Sequence, residues 1–190
     1  MNIITESKHA VEQNNLRVPK LIVRSASATL GMALVAVGLL VSRANAATTV
    51  STADQNFMLA AAQGGMTEVK LGELASTNGM RDDVKEFGQM MVKDHTAIND
   101  DLKALAAQKG VALPDSLDAK HEGMVDKMAA LTGSEFDDAY IAAMIKGHKK
   151  DAKAFNAEAA ATQDADIKSF LDKSIPVVEA HLKHITAMKK

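Results

Sequence analysis

The chain has 190 residues, 22 Lys and Arg against 24 Asp and Glu for a net charge of −2, six histidines, no cysteine, no tryptophan and one tyrosine. This composition excludes a disulfide framework and a cysteine nucleophile, and it leaves a core to be built from Ala, Leu, Val, Ile, Met and Phe. No basic cluster accumulates, so nucleic acid is not an expected partner.

The first segment reads as an export signal with a long basic leader. Arg17, Lys20 and Arg24 precede an uncharged run over residues 26–41. That run is shorter than the ~20 residues a membrane helix needs. Ala44-Asn45-Ala46 supplies an A-x-A cleavage pattern, so residues 1–46 are expected to be removed after Ala46. Retention as an inner-membrane anchor is the alternative. Residues 1–46 hold five Lys and Arg against two Asp and Glu, which leaves 17 against 22 and a net charge of −5 for residues 47–190. That remainder is one domain of ordinary size with no further membrane segment, and it lacks the alternating strands of an outer-membrane barrel.

Apolar residues then recur at spacings of three and four almost to the end of the chain, which predicts an all-α fold. A first helix is expected from about Ala53 to Thr77, opened by a capping box of Thr52 and Gln55. A second runs from about Met80 to Lys109 with Val84, Phe87, Met91, Ile98, Leu102 and Leu105 on one stripe, and stops at Gly110. A short third helix spans about Ser116 to Leu131. Ser134 with Asp137 looks like the cap of a fourth, which carries Phe136, Tyr140, Met144 and Phe155. Asp164 caps the last, whose stripe is Ile167, Phe170, Leu171, Val178, Ile185 and Met188, with an interruption expected at Pro176.

Four long amphipathic helices and one short one imply an up-down four-helix bundle, the short helix riding in the central crossover. The second and fourth helices then run in the same direction. Each long helix places one ionisable group on its apolar stripe: Glu68, His95, His148 and His181, with Asp94 and Asp151 at the stripe edges. At 1.5 Å per residue, His95 and His148 differ in level by roughly 2 to 3 Å, and His148 and His181 match to within a few ångströms. Glu68 stands roughly 9 Å off the level of His95 by the same count.

Imidazoles arriving from facing helices suit Zn, Cu or Fe, with Glu68, Asp94 or Asp151 as the further group. The other reading of a histidine on an apolar stripe is a core ring bonded to neighbouring groups, here Asp94, Asp151 or the carbonyl freed by Pro176. Met58, Met91, Met128 and Met144 fall at core spacing and read as packing, not as thioether ligands. His184 forms an i, i+3 pair with His181 at the stripe edge, and His121 reads as a surface histidine. The adjacent Gly64 and Gly65 imply close helix packing, a kink or the approach of a ligand.

The ordered segments "ADQNFMLAAAQGGMTEVKLGELA", "VKEFGQMMVKDHTAINDDLKALAAQKGVALP", "FDDAYIAAMIKGHKKDAKAFNAEA", "VVEAH" and "LKHI" resemble domain-of-unknown-function family 4142. Its members are exported bacterial proteins, often labelled predicted outer-membrane proteins. The resemblance implies a ferritin-like bundle in the envelope of a Gram-negative bacterium and supplies no activity. Di-iron bundles of this class carry Glu-x-x-His on two helices. Here Val92, Ile145 and Val178 occupy the position three before each histidine, so carboxylate di-iron chemistry is unsupported.

The sequence therefore supports a non-enzymatic, envelope- or stress-associated bundle. The alternative is a transition-metal-binding protein using the inward histidines. The periplasm is the expected compartment, ahead of an outer-membrane association. Homodimerisation through surface helices is open, and no envelope partner is indicated.

Overall fold

The computed structural model describes residues 50–189. Five helices follow in order: α1 (Thr52–Asn78), α2 (Asp82–Lys109), α3 (Ala119–Ala129), α4 (Gly133–Ala161) and α5 (Ala165–Met188). Among these residues no strand forms beyond an isolated parallel bridge between Gly79 and Gly133. The expected signal at residues 1–46 lies outside the described part. No described helix is long and apolar enough to cross a membrane.

The four long helices form the bundle, α1 pairing with α2 and α4 with α5, while α5 also lies against α2 and α4 against α1. Two contacts fix the directions. The bridge puts the start of α4 beside the α1–α2 turn, and Lys109 Nζ at the end of α2 meets Asp164 Oδ2 and Asp166 Oδ2 at the start of α5, both at 2.6 Å. Helices α2 and α4 therefore run in parallel, as expected from the sequence. The crossover is strapped along α1. Gln63 donates to the Ser116 carbonyl and accepts from the Asp118 N–H, while Asn78 Nδ2 donates to the carbonyls of Ala129 and Leu131.

Helix ends differ from the sequence reading in ways that matter for the site. Ser51, not Thr52, caps α1, its hydroxyl accepting from the Asp54 N–H at 3.0 Å and donating to the Asp54 carboxylate at 2.7 Å. Helix α2 begins at Asp82 instead of Met80, and α3 begins at Ala119 instead of Ser116, behind an Asp118 cap. Thr132 precedes α4 without a side-chain cap. Asp137, assigned from sequence to that cap, reaches across to α2, where its carboxylate accepts from the Met80 and Arg81 N–H groups at 3.0 and 2.9 Å. Asp164 caps α5 as expected, but α5 runs unbroken through Pro176.

Small residues set the spacing of α1 and α2. A Cβ at Gly65 would collide with Asn99 Oδ1, and one at Gly72 would lie 2.7 Å from the Gly88 carbonyl oxygen. Gly65 thus answers to close packing, whereas nothing approaches a Cβ at Gly64.

The core has two halves. One gathers Leu71, Phe87, Met91, Tyr140, Met144 and Ile185; the other gathers Met58, Leu102, Phe155, Ile167, Leu171 and Val178. Along α2, α4 and α5, His95, His148 and His181 fall between these halves. Met58, Met91, Met128 and Met144 are all buried in them, in keeping with their spacing.

Candidate metal centre

The polar layer between the two core halves is built from one face of each long helix. Helix α1 supplies Glu68, α2 supplies Asp94 and His95, α4 supplies His148 and Asp151, and α5 supplies His181. The three histidines are 3%, 0% and 2% exposed in chain order. Their ring centroids lie 5.3 to 5.6 Å apart. A nitrogen from each lies within 4.8 Å of one from both others.

Every ring is anchored through one nitrogen. His95 Nδ1 lies 3.0 Å from Glu68 Oε2, His148 Nδ1 lies 3.0 Å from the Met144 carbonyl oxygen, and His181 Nε2 lies 3.0 Å from Asp94 Oδ2. A carbonyl and a carboxylate can only accept, so the nitrogen facing each must carry the proton. Glu68 Oε1 stands 3.5 Å from His148 Nδ1, a looser approach to a donor already committed to Met144. The opposite nitrogens, His95 Nε2, His148 Nε2 and His181 Nδ1, are buried and have no partner in the protein. Leaving three imidazole nitrogens unpaired in one buried layer is costly unless something pairs them.

The electrostatics follow from burial and one carboxylate. Burial disfavours charge on Glu68, but His95 beside it holds the carboxyl below its ordinary value. Burial disfavours charge on His95 too, and Glu68 outweighs it, raising the imidazole above its ordinary value. His148 and His181 are pushed down, chiefly by burial, despite Glu68 near the first and Asp94 near the second. Burial and then the Glu68 charge push the Asp151 carboxyl up to about 7.

All six residues singled out in the sequence converge on this layer. The level assigned to Glu68 needs correction: it meets His95 directly. Helix α1 extends to Asn78 and α2 starts at Asp82, so Glu68 stands ten residues before the turn and His95 thirteen after it. The offset is then about 4.5 Å at 1.5 Å per residue, within reach of the side chains. Asp94 contacts the outer nitrogen of His181, and Asp151 lies beside Glu68. The sequence gives no sign of the Met144 carbonyl as a partner, although it lies on the residue four before His148. Nor does it single out Phe87 as more than core, although its ring lies 6.5 Å from His148, 6.1 Å from His181 and 5.3 Å from His184. Asn99, seated over Gly65, is a half-buried polar residue whose buried Oδ1 has no partner in the protein.

Two solved structures share the architecture. "CopM in the Cu(I)-bound form" is 17% identical with a TM-score of 0.60, covering 71% of this chain and 94% of its own. A DUF305 fragment from Deinococcus radiodurans is 10% identical with a TM-score of 0.64, covering 73% and 96%. At these identities the likeness concerns the fold. No curated protein matches the chain. The profile of a domain of unknown function, DUF4142, matches residues 40–188, and the chain belongs to that family.

Proposed function

We propose that this protein is an exported metal-binding bundle whose ligands are His95, His148 and His181. The observation that carries this reading is the convergence of three buried rings, each offering a nitrogen within 4.8 Å of one from the others and each keeping one buried nitrogen without a partner in the protein. Metal-ligating histidines characteristically donate their other N–H to a carboxylate or backbone carbonyl, which fixes the tautomer and aims the lone pair. Glu68, the Met144 carbonyl and Asp94 occupy those outer positions here. Glu68, Asp94 and Asp151 are accordingly assigned to orientation and charge balance, not to coordination.

Three imidazoles without thiolate suit copper or zinc, and copper has the higher affinity for a given nitrogen site. The copper-bound form of a protein with the same fold agrees with that choice. Iron is disfavoured by the lack of Glu-x-x-His on the bundle helices and by the single inward glutamate being engaged with His95. A cavity of about 20 Å³ beside Glu68, His95 and Asp151 is large enough for one water as a fourth ligand or bridge. Burial of all three rings favours holding an ion over turning over a substrate. Export to the periplasm follows from the basic leader and A-x-A site.

The competing reading, a purely structural histidine network, draws on the fact that every ring already has one partner. Elemental analysis of protein purified without chelator or affinity tag separates the two. The metal reading expects about one copper or zinc per chain and its loss in His148→Ala. Metal-free protein that also fails to load copper or zinc would leave the structural network standing.

A further inference from the structure

Besides the small cavity beside His95, two larger openings approach the triad. Between α1, α3 and α4 a cavity of about 600 Å³ reaches Glu68 and Asp151, with His121 and Met124 on its α3 wall and Lys120, Lys146 and Lys150 also lining it. On the other side, between α2 and α5, a groove of about 350 Å³ has Met90 and Asp94 on one wall and His181 and His184 on the other. Of these two, only the groove touches a triad histidine.

The groove's donors form two helical pairs. Met90 and Asp94 are four apart on α2, and His181 and His184 are three apart on α5, so each pair presents a common face. His184 is exposed and rests edge-on against Phe87 at 5.3 Å. His181 forms the boundary: its Nε2 bonds Asp94 in the groove wall, while its Nδ1 is the buried, unpartnered nitrogen. A thioether, an open imidazole and a carboxylate thus stand outside a ring whose far side belongs to the triad. Charge distinguishes the two openings further: in the larger cavity Lys120, Lys146 and Lys150 outnumber Glu68 and Asp151, whereas Asp94 is the one acidic side chain lining the groove and no lysine or arginine lines it.

We propose that the α2–α5 groove is the port by which the metal ion reaches the triad, with Met90 and His184 as transient donors and the Asp94 carboxylate drawing the cation to the mouth beside His181. This rests on the metal-binding reading above. The test is stopped-flow transfer of copper(I) from a coloured weak chelator to the mature chain, followed by an equilibrium competition titration. The Met90→Leu, His184→Asn double variant should load about tenfold more slowly, the size of effect expected from weakening one donor contact on the slow step. Its final copper content and affinity should stay at the wild-type values. A His121→Asn, Met124→Leu variant of the opposite cavity should load at the wild-type rate. Unchanged loading in the groove variant, or slowing only in the cavity variant, would overturn the port. So would an affinity loss matching the rate loss, which would make Met90 and His184 part of the resident site. Wild-type protein taking up neither copper nor zinc at equilibrium refutes the triad reading itself, a result distinct from any of these.

Discussion

Asp94 touches no triad nitrogen that is left for a metal, yet it holds the His181 ring by a 3.0 Å bond from the outside. Replacement by Asn preserves shape and changes the partner from a carboxylate to an amide. Outer partners of this kind are worth about 10 to 100-fold in metal affinity, so Asp94→Asn should weaken copper binding by that order with stoichiometry and fold retained. A competition titration reads the effect. Acid acts on His148 and His181 in a defined sense. Their folded pKa values lie below the ordinary 6.5, so stability in the metal-free state is lost as pH falls below that value and the buried rings are forced to charge. Glu158 behaves in the opposite sense for an acid. Burial, then the hydrogen bond and charge of Asp54, raise it from 4.5 to about 7. The folded state then binds more protons than the unfolded chain between those values, and stability falls as pH rises from 4.5 through 7. Glu158→Gln removes this ionisation and should raise Tm at pH 8 relative to wild type while flattening the pH dependence over that window. A variant that is less stable than wild type at pH 8 would count against the carboxyl pair.

Helix termini are the elements where sequence and structure part, and the reasons are physical. Periodicity located the four long helices because their buried stripes repeat at three and four residues, whereas α3 buries Met128 alone, and periodicity says little about where a helix stops. A shift of one residue at the end of α1 and two at the start of α2 displaced the expected level of Glu68 by about 4.5 Å at 1.5 Å per residue, enough to separate two groups that are hydrogen-bonded. Asp137 illustrates the other limit. Three residues after Ser134, its spacing fits a local cap, whereas the carboxylate serves the N-terminus of a different helix through contacts 56 and 57 residues away in sequence. Asp137→Ala should leave the Met80 and Arg81 N–H groups unpaired beside a buried site. A loss of about 2 kcal/mol is expected from a cap and a charged acceptor together, measurable as a lower urea midpoint with unchanged m. Asp137→Asn should recover part of it, since one amide oxygen still accepts.

At the scale of the molecule, the bundle divides its hydrophobic core and places a polar layer in the gap. That layer was legible in outline. His95, His148 and His181 reach one level because α2 and α4 run in parallel and α4 and α5 share a short turn, both of which follow from helix lengths and the crossover. Which nitrogen of each ring is bonded was not legible, since it depends on side-chain rotamers and on a backbone carbonyl, and that detail is what separates a ligand set from a saturated network. The most direct measurement is X-ray absorption at the metal edge of the loaded mature chain. The account predicts imidazole scattering from three histidines, with nitrogen at about 2.0 to 2.1 Å if zinc is bound, and no sulfur shell. A shell of methionine sulfur, or carboxylate oxygens replacing the imidazoles, would contradict it.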